Sequence, residues 1–423
     1  MHRGRRAGAT VVAASMLAVT ALAGCSAETG ETELMWYINP DDGGQAEIAA
    51  KCSEESGGRY TITTSLLPRD ASSQREQLAR RLAAGDSSMD IMSLDPPFIP
   101  ELAEPGFLAP VPQEVIDQRT EGVVEGAIES SKWKDEFVTV PFWANTQLLW
   151  YRKSVAEEAG LDMTKPVTWD QLMEASKKTD KKLGVQVTRG ESMTVWLNAL
   201  VESQNESLIR NPGAKADETD FGIDSPAGRK SAEIVGTIGR EGLYGGGVNA
   251  DESANKDFFA TDEGSFMVNW PFVWTALNEE APEVAQDMGW AQYPRVDADT
   301  PSAPPVGGIN IGVGAPSKHP ELAYEAVTCI TSPENQAMYF ATNGNPPAAE
   351  SAYDDPAVKE AYPMAPLIRD SLNAGAARPQ TPFYNEVSTA VQQQWTPIPD
   401  VNENTPAETQ EFLGEVLRGE RLL

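Results

Sequence analysis

Asp42 stands just past a short β-rich run at residues 34–38, and Asp95 closes another at residues 90–95. In open α/β sheets ligands gather beyond the carboxyl ends of strands, so both carboxylates occupy positions where a site could form. The competing reading of an isolated loop aspartate is a turn former. Tryptophan is plentiful, with ten in the chain, and several stand beside short polar residues: Trp36 near Asn39, Trp143 beside Asn145, and Trp270 and Trp274 after Asn269. Sugars present an apolar C–H face and a rim of hydroxyls, so a site for them needs flat aromatic rings with bidentate Asp, Asn, Glu or Arg groups. The chain holds these ingredients. Most of the indoles are nonetheless expected in the core, because tryptophan is highly buried on average.

Catalytic chemistry finds little support. The chain has two histidines, and His2 falls in the leader described below, which leaves His319 as the sole imidazole for a Ser-His-Asp or Cys-His set. It precedes Pro320 at an expected helix start, and no Gly-x-Ser-x-Gly elbow accompanies it. Cys-x-x-Cys, His-Glu-x-x-His and Walker A patterns are missing, so no metal, cofactor or nucleotide is expected. Ser253 and Lys256 have Ser-x-x-Lys spacing but lack the Ser-Asp-Asn and Lys-Thr-Gly partners. A glycosidase working through two carboxylates stays open as the enzyme alternative: 63 acidic residues supply many pairs, and the separation that matters is spatial.

The N-terminus reads as an export signal. Arg3, Arg5 and Arg6 precede an apolar, small-residue run at 7–23, and Leu22-Ala23-Gly24-Cys25 resembles a lipobox. Residues 1–24 are expected to be a signal peptide, Cys25 to carry lipid, and residues 25–30 to form a tether to the outer face of the membrane. The alternative is a free exported protein. After Cys25 no stretch reaches the roughly 18 apolar residues of a membrane helix. Removing the three arginines takes the formal charge from −30 to −33. Such a field repels phosphate backbones and anionic headgroups, disfavours nucleic acid, and is indifferent to a neutral ligand. With Cys25 acylated, Cys52 and Cys329 remain as an even pair in an oxidising compartment, and one disulfide is expected between them. Two buried thiols are the alternative.

These groups are held by elements that alternate short β-rich runs with amphipathic helices, an α/β pattern. Strands are expected at 34–38, 60–66, 90–95, 138–143 and 309–313. Helices are expected at 45–56, 169–179, 195–202 and 320–330, with a largely helical tail from residue 364. Ser73 and Glu76 have capping-box spacing, and Gly85 sits where a C-terminal cap belongs. The segments 211–220, 242–249 and 298–305 read as loops. At this length two to three domains are expected.

The middle of the chain carries a long, ordered resemblance. Trp133-Lys134-Asp135 to Val140-Pro141, Asn145-Thr146-Gln147-Leu148-Leu149-Trp150-Tyr151, Ala159-Gly160-Leu161 and Pro166-Val167-Thr168-Trp169-Asp170 resemble the extracellular solute-binding family of sugar ABC importers. Flanking pieces agree in order and spacing: residues 90–108, Glu263-Gly264 to Trp270, Gly307-Gly308, Ser332-Pro333-Glu334, and Asn343-Gly344-Asn345-Pro346-Pro347. Val268-Asn269-Trp270-Pro271-Phe272-Val273 and Ala377-Arg378-Pro379 with Thr381-Pro382 are similar to the trehalose-binding lipoproteins within that family.

The resemblance implies a two-lobed periplasmic-binding-protein-like α/β fold of type II, with the ligand in a cleft between the lobes. Lobe one takes residues 31–142 and 295–331, and lobe two takes 143–294 and 332–423. It implies that Asp42 and Asp95 from lobe one, and Asn145, Glu252, Trp270 and Arg378 from lobe two, contact a disaccharide. Trp270 stacks on one glucose ring, Asp95 and Arg378 each hold a pair of hydroxyls, and the backbone at Gly308 and Ile309 closes one side. The implied ligand is trehalose, with a maltose-like α-glucoside as the alternative, and the implied partners are the permease subunits of an ABC importer. No bond is made or broken. The sequence departs from the trehalose-binding pattern at 343–346, one edge of the implied pocket.

Overall fold

The structure, a computed structural model, describes residues 31–41 and 43–423. The expected signal, lipidated Cys25 and Asp42 lie outside the described residues. Among those described, no helix is long and apolar enough to cross a membrane.

Two sheets organise the chain. The first has six strands: Ala376–Ala377, Pro305–Val313, Ile91–Leu94, Thr32–Ile38 and Tyr60–Leu66 in that order, with Val140–Thr146 antiparallel on Pro305–Val313. Thr32–Ile38 is parallel to both Tyr60–Leu66 and Ile91–Leu94, and helices Gly44–Glu55 and Ala71–Ala83 follow the first two strands. The second sheet orders Met288–Ala291, Leu148–Arg152, Gly264–Asn269 and Lys182–Gly184. Gln147 alone separates Thr146 of the first sheet from Leu148 of the second, so the chain changes sheets within one residue. It returns through residues 292–304, and Ala376–Ala377 adds to the first sheet before the helix Tyr384–Gln394.

Each sheet has its own apolar core. Trp36, Phe142 and Tyr339 form an aromatic column against the first, with Trp36–Phe142 edge-on at 6.1 Å and Phe142–Tyr339 stacked at 5.4 Å. Trp169, Trp196 and Tyr293 pack at 5.6 and 6.0 Å beside the second. Burying side chains of this class removes large apolar surfaces from water and contributes roughly 1.5–3 kcal/mol each. Five of the ten tryptophans, Trp36, Trp150, Trp169, Trp196 and Trp395, are at most 1% exposed, which separates core indoles from those free to meet a ligand.

Several element boundaries differ from the sequence expectation, each for a physical reason. The helix Ala71–Ala83 is capped by Asp70, whose carboxylate accepts the Ser73 backbone N–H at 2.8 Å; Ser73 is inside the helix and is not the cap. The strand expected at 138–143 spans Val140–Thr146, because Asn145 and Thr146 pair with Gly307 and Val306 despite their polar side chains. The strand expected from residue 309 begins at Pro305 through the same pairing. Gly308 has φ 126°, and a Cβ there would stand 2.1 Å from the Trp143 carbonyl oxygen, so close strand approach excludes a side chain. The helix expected from residue 195 starts a turn earlier, at Glu191, whose first turn is polar. Tyr60–Leu66, Trp169–Thr179 and Pro320–Ile330 have the expected bounds.

Cys52 and Cys329 form a disulfide with Cα atoms 5.9 Å apart, joining helices Gly44–Glu55 and Pro320–Ile330 across a sequence separation of 277.

Candidate functional site

A cavity of about 620 Å³ opens where the two sheets meet, within the roughly 300–1,000 Å³ of small-molecule sites. Its first wall comes from strand ends. Asp95 follows Ile91–Leu94 and begins a short 3-10 turn; its carboxylate makes no cap bond and reaches the cavity instead. Asn145 sits in Val140–Thr146, its Oδ1 accepting the Thr146 N–H at 3.0 Å. Gly308 and Ile309 border the same space from Pro305–Val313.

The opposite wall comes from the second sheet. Trp270 directly follows Gly264–Asn269, and its backbone N–H donates to Asn269 Oδ1 at 2.9 Å, which fixes the turn that turns the indole inward. The ring lies over Gly307: a Cβ added there would stand 3.3 Å from Trp270 Cη2 and 3.8 Å from Arg378 Nη2. Glycine therefore lets the ring and the guanidinium flank bare backbone. Glu252 opens the helix Glu252–Phe259, and its Oε1 accepts the Ser192 hydroxyl at 2.7 Å.

Arg378 follows Ala376–Ala377 and is 6% exposed, an ionised group held at the cavity by charge. Its Nη2 donates to Asp95 Oδ1 at 2.7 Å and its Nη1 to Asp95 Oδ2 at 3.5 Å, while Nη1 also donates to Glu191 Oε1 at 2.6 Å. Burial opposes the charge on Arg378, but Asp95, Tyr384 and Glu191 outweigh it and drive the pKa up. Burial also pushes the Asp95 carboxyl up; Arg378 pulls it down and Glu191 adds to the rise. Glu191 Oε1 further accepts the Tyr384 hydroxyl, and Oε2 accepts the Ser388 hydroxyl. Three of the five guanidinium N–H groups thus face carboxylates, leaving Nε–H and the second Nη2–H on one edge.

Seven residues expected at the site, Asp95, Asn145, Glu252, Trp270, Gly308, Ile309 and Arg378, line this one cavity. Asp42 lies outside the described residues; its neighbour Asp41 accepts the Gly43 and Gln45 backbone N–H groups. The expectation that Asp95 and Arg378 hold hydroxyls separately did not foresee that they bond each other. Trp143 and Asn39, singled out above among indoles beside short polar residues but not assigned to the site, also line the cavity, and so does Glu191, which was missed. Trp143 Nε1 and Asn39 Oδ1 are buried without a partner in the protein, the kind of atoms a polar ligand satisfies. Among the described residues no group of three or more His, Cys, Asp or Glu side chains could hold a metal ion.

Comparison with known proteins agrees with this architecture. The profile of the bacterial extracellular solute-binding protein family matches residues 45–337. A probable ABC transporter-binding protein of Deinococcus radiodurans is 22% identical over 356 residues, 78% of this chain and 80% of that protein. Among solved structures, maltose-bound MalE3 of T. maritima aligns with TM-score 0.78 at 22% identity, covering 92% of this chain and all of the other. The GacH receptor of Streptomyces glaucescens, solved unliganded and with acarbose, aligns with TM-score 0.77 at 18% identity over 92% of this chain and 98% of its own. These likenesses give the periplasmic-binding-protein-like α/β fold.

Proposed function

The chain belongs to the bacterial extracellular solute-binding protein family, and from that premise we propose that it captures an α-linked glucose disaccharide, trehalose first, for an ABC permease. The observation that carries the reading is the pairing of a flat indole with converging polar groups. Trp270 covers Gly307, and Arg378, Asp95, Asn145 and Glu252 surround the same cavity. An indole face suits a sugar C–H face, and the free Nε–H and Nη2–H edge of Arg378 matches two adjacent hydroxyl oxygens. The carboxylates of Asp95 and Glu252 accept hydroxyl protons on other positions. The lobes are taken as built on the two sheets, closing on the ligand so that the closed form docks on the permease; the expected boundary at 142/143 falls inside the strand Val140–Thr146, and Ala376–Ala377, expected in lobe two, pairs in the first sheet. Cys25 is taken as the lipid anchor.

Maltose is the second reading. It is favoured by the maltose-bound structural relative and by the departure from the trehalose-binding pattern at 343–346. The test is calorimetric titration of residues 26–423 with trehalose, maltose and sucrose, with the mixtures assayed for glucose. Tight trehalose binding without glucose release supports the proposal. Preference for maltose moves the sugar and keeps the capture role, and glucose release returns the glycosidase reading to first place.

A further inference from the structure

Glu191 is the most heavily bonded acid at the cavity, and the capture of sugar does not by itself call for it. Its side chain is 12% exposed and touches three donors: Arg378 Nη1 through Oε1, the Tyr384 hydroxyl through Oε1, and the Ser388 hydroxyl through Oε2. Tyr384 and Ser388 lie on the helix Tyr384–Gln394, and Ser388 is held in turn by Thr194 at 2.9 Å and Gln392 at 2.8 Å. The Tyr384 ring is wedged edge-on against Phe98 at 5.2 Å, with the guanidinium carbon of Arg378 5.8 Å from its centroid. Glu191 therefore has little freedom to move.

A guanidinium can meet a carboxylate with two bonds in two ways: end-on through Nη1 and Nη2, or side-on through Nε and Nη2. Asp95 is met end-on. With Asp95 as the only partner, both modes satisfy the ion pair, and the side-on mode uses the fork that a sugar needs. Glu191 breaks this degeneracy, because only the end-on arrangement also points the second Nη1 proton at Glu191 Oε1. Arg378 Nη2 then stays beside Gly307, which the Trp270 ring also borders.

We propose that Glu191 is a positioning residue: by holding Arg378 Nη1 it keeps Asp95 on the end of the guanidinium and reserves the Nε–H and Nη2–H edge for two hydroxyls of the sugar. This deepens, and rests on, the sugar-capture reading. The neighbouring Ser192 orients Glu252 in the same way, so the first turn of one helix sets polar groups on both sides of the cavity.

The experiment is a double-mutant cycle by calorimetry on the purified chain, with trehalose and maltose as probes: wild type, Glu191→Gln, Arg378→Lys and the pair. A lysine has no fork to orient, so a positioning role vanishes in its background. Glu191→Gln is expected to weaken sugar binding on the order of tenfold when Arg378 is present and by less than about twofold when Lys replaces it. If Glu191→Gln does not fold, Ser388→Ala, which frees Oε2 alone, is run through the same cycle, with about a threefold loss expected only beside Arg378. An equal loss in both backgrounds, the mark of a merely structural acid, overturns the proposal, as does no loss beside Arg378. A wild-type chain that binds neither sugar overturns the functional reading itself, and is distinguished because it appears before any substitution is made.

Discussion

Replacing Arg378 by methionine removes the cation and keeps the length of the stem, leaving Asp95 and Glu191 facing each other with side chains 17% and 12% exposed. Breaking a buried ion pair by removing one partner costs about 3–5 kcal/mol, because the remaining charge stays desolvated. With unfolding entropy near 2.1 cal/mol/K per residue, the apparent melting temperature of a chain this long falls by roughly 5 °C. The loss depends on pH. Burial already raises the folded-state pKa of Asp95, and Arg378 is what pulls it down. Without the arginine it rises further above the unfolded value of about 4. Between those two values the folded state holds the proton that the unfolded state has lost, so stability falls as pH rises through the window and is recovered as pH falls. The deficit of Arg378→Met therefore shrinks as pH falls from neutral towards the unfolded value, read by differential scanning calorimetry against wild type at each pH. A variant as stable as wild type at neutral pH, or a deficit that grows on acidification, refutes the assignment of Arg378 as the cation that two buried carboxylates share.

Trp270→Ala removes the ring over Gly307 and is expected to weaken sugar binding by roughly 1–3 kcal/mol, or about 5- to 150-fold, a range typical of lost stacking on an aromatic platform. Titration of the variant with the sugar bound by wild type checks it, with little change in melting temperature because the ring lines a cavity. Cys329→Ser opens a crosslink spanning 277 residues and is expected to cost about 2–5 kcal/mol of stability, measured by denaturant unfolding. Sugar affinity measured on the folded fraction stays unchanged, since neither cysteine lines the cavity.

What the sequence disclosed follows from where each signal resides. Tyr60–Leu66 and Trp169–Thr179 have the expected bounds because alternation and helical rhythm are local signals, and in the structure Thr168 caps the helix just before Trp169. The disulfide followed from counting cysteines in an oxidising compartment. Cavity residues such as Trp270 and Arg378 came from ordered family likeness, which periodicity alone does not supply. Glu191 escaped both. Its helix opens with Glu-Ser-Met-Thr, which has no apolar stripe, and its partners stand 187 to 197 positions away in sequence. A buried acid whose donors all come from another segment has no local pattern; only folding brings the four groups together. The extension of Val140–Thr146 through two polar residues has the same origin, because pairing to Gly307 and Val306 overrode local composition.

If the proposed capture of trehalose or maltose holds, the segment 343–346, where the resemblance to the trehalose-binding pattern breaks, is the edge of the cavity expected to set the preference between them, and it is firmly anchored. Gly344 adopts φ 74° to end the helix Pro333–Asn343, and a Cβ there would stand 2.6 Å from the Tyr362 hydroxyl, so the turn admits no side chain. Two residues on, the Pro346 carbonyl accepts the Ala144 N–H at 2.9 Å, which ties the turn to Val140–Thr146. Asn345, between these fixed points, lines the cavity with an amide that can donate and accept. The two sugars differ in their linkage and so in where the second ring's hydroxyls fall, and a side chain at one edge meets one sugar better than the other. Asn345→Ala is expected to weaken the preferred sugar by about 0.5–1.5 kcal/mol, or roughly 2- to 12-fold, and to leave the other nearly unchanged. Competitive titration of both sugars against wild type and variant measures the ratio directly. An equal shift for both would mean that Asn345 only supports the wall, and selectivity would have to be sought among Asn39, Trp143 and Glu252 instead.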